Sequence, residues 1–151
     1  MHDIERLVIS HGCWTEDSGT VLDFMRWRAL LARAAGYGTA HVLMGEHTFE
    51  LPDIPYDTLT EENVLGDWGT PPADPLMILL GHSDTEGVIH HQDAMPLALR
   101  LRTLVEGIAE HSHYSIGSPL QHIEETRTWD FARGLLRAHE AEEDVTFQGG
   151  M

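Results

Sequence analysis

The residues best equipped for chemistry lie in one segment, Gly81-His82-Ser83-Asp84-Thr85-Glu86-Gly87-Val88-Ile89-His90-His91-Gln92-Asp93. It places three histidines, three carboxylates and two glycines between an apolar run and an amphipathic stretch. Read as a calcium loop of EF-hand type, His82 takes position one, Asp84 three, Glu86 five, Gly87 six, Ile89 eight and Asp93 twelve. Alternate side chains would converge on one cation, with the Val88 carbonyl completing the shell and Gly87 at positive φ allowing the reversal. Histidine at position one departs from that pattern, because imidazole suits a hard cation poorly.

The same residues carry other chemistries. His82, Asp84, His90 and His91 are nitrogen and oxygen ligands suited to zinc, and His111 and His113 would join them if the fold brought them close. Gly81-His82-Ser83-Asp84-Thr85 resembles the nucleophile elbow of α/β-hydrolases, with Thr85 where the last glycine belongs. A ligand-free reading also accounts for the segment: Asp93 caps a helix, Gly87 turns the chain, and Asp84 or Glu86 bonds backbone amides. Elsewhere, Cys13 beside His11 is a candidate thiol. Arg26 and Arg33, seven apart on one helix face, are candidates for clamping an anion or a partner, while Arg28 points elsewhere.

The elements that must position these residues follow from periodicity. Arg6 to Ser10 is a β-branched run and predicts a strand, followed by a polar loop over His11 to Gly19. A helix begins at Thr20, with Asp23 as a capping-box acceptor, buries Phe24, Trp27, Leu31 and Ala34, and stops at Gly36. Ala40 to Leu51 fits strand or helix. Residues 52–73 read as a long proline-rich surface loop anchored by Trp68. Asp74-Pro75 starts a short helix over Leu76 to Leu80, with a strand as the competing assignment. Asp93 opens a longer helix with Leu97, Leu101, Leu104, Val105 and Ile108 inward. Gln121 to His139 form a last helix with Ile123, Phe131 and Leu135 inward, and Val145-Thr146-Phe147 is an edge strand. The expected fold is α+β: one globular domain over residues 1–151, with about three main helices on a small sheet.

Composition narrows the function. The chain has 151 residues and a formal net charge of −16. That charge argues against nucleic acid and against anionic membrane surfaces, and suits a basic protein partner or divalent cations. All nine basic residues are arginine, and Asn63 is the only asparagine, a bias that points to a GC-rich genome. The single cysteine allows no internal disulfide, and no signal-like start is visible, so a cytoplasmic location is expected.

Phe24-Met25-Arg26-Trp27-Arg28, Asp74-Pro75-Leu76, Leu79 to Ile89, Pro96 to Leu101 and Phe131-Ala132-Arg133-Gly134-Leu135 together resemble a family of small uncharacterised proteins of actinobacteria and their phages. That family carries Cys-Asp where this chain has Thr85-Glu86, so the carboxylate is kept and the thiol lost. The resemblance implies an origin and no activity. The sequence favours a soluble, non-catalytic binding or regulatory protein with one EF-hand-like cation loop, calcium being preferred to zinc. The alternatives are an acidic inhibitor of counter-defence or immunity type that covers a basic protein surface, and a small metal-dependent hydrolase.

Overall fold

A computed structural model of the protein describes residues 6–11, 14–83, 86–108 and 119–149. The fold is α+β. Four antiparallel strands form one sheet in the order β2-β1-β6-β5, where β1 is Arg6–His11, β2 Trp14–Thr20, β5 Glu86–Ile89 and β6 Val145–Gly149. Val145 and Phe147 are buried while Thr146 between them is exposed, the period-two alternation of a sheet with one covered face. A separate hairpin joins β3 (Thr39–Met44) to β4 (His47–Pro52) through a two-residue turn with Gly45 at φ 67°. This resolves the ambiguous Ala40 to Leu51 run.

Three longer helices cover the sheet: α1 (Val21–Ala34), α4 (His91–Leu104) and α5 (Pro119–Ala141). Two single-turn helices, α2 (Glu61–Val64) and α3 (Met77–Leu80), lie between the hairpin and β5. The core is aromatic at its centre. Phe24 packs against Trp27 and edge-on to Phe147, both with centroids at 5.9 Å, and Trp27 meets Phe131 at 5.1 Å. The buried Trp27 Nε1–H donates to Thr128 Oγ1 at 2.9 Å, so the indole carries its polar atom into the core without an unsatisfied donor.

Helix α3 starts at Met77 with Leu76 as its cap residue, so Asp74 is not the N-cap expected of it but braces the turn before the helix. Its Oδ1 accepts from the Leu76 N–H at 3.0 Å and from Arg100 Nε at 3.0 Å, while Oδ2 accepts from the Tyr37 hydroxyl at 2.7 Å. One carboxylate thus ties the loop after α1, the start of α3 and the middle of α4. Burial pushes its pKa up, but the Arg100, Tyr37 and Leu76 donors outweigh this and hold it below the ordinary carboxylate value.

Several expectations are corrected. Residues Trp14–Thr20 form an edge strand rather than a loop; their acidic composition suits an edge, where charge discourages further pairing. Strand β6 is interior, flanked by β1 and β5, rather than an edge. Asp93 does not cap α4: the cap residue is His90, and the His91 N–H is accepted by Asp144 Oδ1 at 3.0 Å from the turn before β6. Ile123 is 54 % exposed rather than inward, because α5 turns Phe131, Leu135 and Ala138 to the core instead. Residues 52–73 are not irregular throughout: they hold a 3-10 turn at Tyr56–Thr58 and α2, capped by a reciprocal Thr60–Asn63 box. Trp68 packs against the core, as an anchor should. The side chains of Thr20 and Asp23, and all of Cys13, Asp84, Thr85, His111 and His113, lie outside the described residues. Among the described residues, no helix is long and apolar enough to cross a membrane.

Candidate functional site

His82 follows α3 after the cap residue Gly81 and is 3 % exposed. Its ring stacks on Phe147 of β6, centroids 4.0 Å apart and planes at 26°. Nδ1 lies 2.9 Å from the Ser83 carbonyl oxygen and Nε2 lies 3.0 Å from the Val88 carbonyl oxygen. Both ring nitrogens are therefore committed to backbone. A neutral imidazole has one N–H, so one carbonyl receives a hydrogen bond and the other faces a lone pair. Burial lowers the His82 pKa; the two carbonyls pull it back up and Arg28 pushes it down again, leaving it below the ordinary value.

Two glycines let the chain close around this ring. Gly87 has φ 108°, as expected, but for a different reason from the one its neighbours suggest. It does not gather carboxylates. A Cβ there would sit 2.6 Å from the Leu65 carbonyl oxygen and 3.0 Å from His82 Cε1. Gly66, at φ 97°, is tighter still: a Cβ would lie 1.5 Å from the Val88 carbonyl oxygen. Backbone hydrogen bonds complete the closure, from Ser83 N to Val64 O at 2.8 Å and from Val88 N to Leu65 O at 2.9 Å. The turn after α2, the α3–β5 connection and β6 are thereby locked through one imidazole.

This geometry removes His82 and Val88 from a cation shell, since the carbonyl proposed as a ligand faces the imidazole instead. Glu86 lies on β5, paired in register with Gln148 and exposed. Asp93 lies in the first turn of α4; burial raises its pKa, which His90 moderates and Asp144 reinforces. Among the described residues, no three His, Cys, Asp or Glu side chains gather to hold a metal ion. His90 instead places Nδ1 3.3 Å from Asp144 Oδ2. The nucleophile elbow is also corrected: it requires strand, turn and helix in that order, whereas here helix α3 precedes Ser83 and strand β5 follows. Zinc added to metal-stripped protein is expected to change the melting temperature equally in the wild type and in His82→Ala. A zinc stabilisation lost only in the variant would return the ring to a ligand role.

The arginine that matters is Arg28. Arg26 is exposed, and Arg33 is ion-paired with Glu50 of β4, whose Oε2 also accepts from Thr39 Oγ1 at 2.6 Å, so the two do not form a clamp. Arg28 is 6 % exposed. Its Nη1 donates to the carbonyls of Leu79 at 3.4 Å, Leu80 at 3.3 Å and His82 at 2.6 Å, serving the orphan acceptors at the end of α3. Its guanidinium carbon lies 4.7 Å from the centre of the Phe24 ring. Burial brings its pKa down to about 10, which leaves it charged at neutral pH, and Tyr56 acts in the opposite sense. Sequence spacing carried the signal: Phe24, Arg28 and Leu31 recur at four and three residues, the buried stripe of α1.

Beside Arg28 a cleft of about 430 Å³ opens between α1, the end of β4 and the α3–β5 connection. Met25, Leu51, Pro52, Val64 and Leu80 give it apolar walls, and Arg28, Tyr56, His82 and Ser83 are its polar members. Tyr56 is 47 % exposed at the rim, its pKa raised first by burial and further by Asp53, against a lowering by Arg28. Compared with known proteins, the chain matches no family model, no curated protein and no solved structure.

Proposed function

We propose that this chain is a non-catalytic binding protein that receives a small organic anion, such as a monocarboxylate with an apolar body, in the cleft beside Arg28. The observation that carries the reading is a buried, charged guanidinium next to a cleft with apolar walls. Small-ligand sites combine an enclosed volume of roughly 300–1,000 Å³ with mainly apolar walls and a few convergent polar groups. The guanidinium lines the cleft and is held in place by the Leu79, Leu80 and His82 carbonyls, and a charge-assisted hydrogen bond to an anion is stronger in such a low-dielectric site than at the surface. The apolar walls would take the ligand body, and the Tyr56 hydroxyl at the rim would supply a second donor.

Benzoate is the test probe, with benzamide as its neutral isostere. Titration followed by backbone amide shifts should move Tyr56, Gly81 and Ser83 with benzoate and leave them in place with benzamide. Tyr56→Phe should weaken the effect without unfolding the protein, because the ring remains. Equal response to both probes, or no response to either, overturns the proposal.

A further inference from the structure

A second surface lies on the seam between α4 and α5. The two helices run antiparallel. His139 Nδ1 lies 3.2 Å from the His91 carbonyl near one end, and Arg102 sits over the Trp129 ring at 5.6 Å toward the other. Beside that stacked pair is a cavity of about 330 Å³, floored by Ala132 and Leu136 and flanked by Arg102, Trp129 and Arg133. Met95 and Leu99 stand seven and three residues before Arg102 on the same face of α4, 40 % and 46 % exposed, and Trp129 is 36 % exposed. Exposed apolar surface beside two arginines is unusual in a chain of charge −16 with only nine basic residues.

We infer that this seam docks a short acidic segment of a partner protein, one or two carboxylates beside a bulky apolar side chain. A guanidinium stacked on an indole keeps its N–H edge directed outward, and that edge matches a carboxylate bidentately. Arg133 supplies the second positive group. It pairs with Asp130 at 3.1 Å, but this is an exposed i,i+3 contact of the kind that contributes about 0–1 kcal/mol, so an incoming carboxylate can replace it. The apolar side chain would lie on Ala132 and Leu136. A polyanion such as a nucleic acid is disfavoured by the charge of the whole chain, as is a second copy carrying the same −16. The attraction is therefore local, and a short segment suits it.

The probe is the blocked peptide acetyl-Asp-Leu-Phe-Glu-amide, with its Asn/Gln counterpart as control. The readout is the Trp129 indole N–H resonance at fixed protein concentration. The acidic peptide should shift it, and the uncharged one should bind at least about tenfold more weakly, as expected for loss of charge-assisted hydrogen bonds. Arg102→Gln with Arg133→Gln should abolish the difference between the peptides. Both positions are exposed, and unchanged melting temperature would show that the fold is intact. Equal binding of both peptides, binding of neither, or equal binding of a short oligonucleotide overturns the inference. So does a Trp129 shift that follows protein concentration rather than peptide, because the face would then join two copies of this chain.

Discussion

Replacing Gly66 by alanine should remove most of the folding stability of this protein. The new Cβ would stand 1.5 Å from the Val88 carbonyl oxygen and 2.7 Å from the Val88 carbonyl carbon. Both obstacles are backbone, so no rotamer change relieves the overlap. Residue 66 also holds φ 97°, which strains any L side chain by roughly 1–2 kcal/mol before the clash is counted. To make room, β5 must retreat from the turn after α2. That retreat breaks the Val88 N to Leu65 O bond and pulls the Val88 carbonyl away from the His82 ring. Losses above about 4 kcal/mol arise from such mechanisms, and a domain has only about 5–15 kcal/mol in total. Gly36→Ala is the control. Gly36 has φ 89° but nothing within 4 Å of its added Cβ, so it isolates the backbone strain. Thermal unfolding should show Gly36→Ala a few degrees below the wild type and Gly66→Ala largely unfolded. If Gly66→Ala melts alongside Gly36→Ala, the close approach of β5 to residue 66 is absent in solution.

That contact also marks what the sequence could disclose. The long helices were legible because their apolar residues repeat at helical spacing: Phe24, Trp27 and Leu31 in α1, Leu97, Leu101 and Leu104 in α4, Phe131 and Leu135 in α5. The short helix after Asp74-Pro75 was legible from local chemistry, though it begins at Met77, two residues later than proline at the first position implies. Strands β2 and β5 were not: β2 carries acids in place of an apolar alternation and is a strand through its hairpin with β1, whereas β5 has a glycine at its second position and a partner, β6, distant in sequence. The need for positive φ at Gly87 was legible, whereas its cause, the carbonyl of Leu65, lies twenty-two residues away in sequence. The surroundings of His82 lie beyond the same boundary. A cluster of His, Asp and Glu in one loop reads as a ligand set, but folding turns the His82 ring inward onto Phe147 and the Val88 carbonyl. Arg28 shares a helical stripe with Phe24, and its carbonyl partners become neighbours only once α3 is placed.

His82→Ala should be the costliest of the side-chain truncations in this region, and its cost should depend on pH. The variant loses a stacked ring against Phe147, opens a cavity and leaves the Ser83 and Val88 carbonyls with less satisfaction, together about 3 kcal/mol. The pH dependence follows from the depressed pKa. The unfolded chain takes up its imidazole proton near 6.5, whereas the folded chain, with the ring buried beside Arg28, does so only at lower pH. Between those two values the proton is bound more tightly by the unfolded state, so acidification favours unfolding. The stabilisation from His82 is therefore complete above about pH 6.5 and declines as pH falls toward the folded-state pKa. Urea unfolding of both proteins across pH 5 to 8, roughly the range in which histidine titrates, tests this. The gap in stability between wild type and His82→Ala should be widest at the alkaline end and narrow on acidification. The other ten histidines are present in both proteins and largely cancel in the difference. A gap that widens as the pH falls would mean that the two carbonyls stabilise an imidazolium against burial. His82 would then be a buried cation beside Arg28, and the cleft would hold two positive charges for an entering anion instead of one.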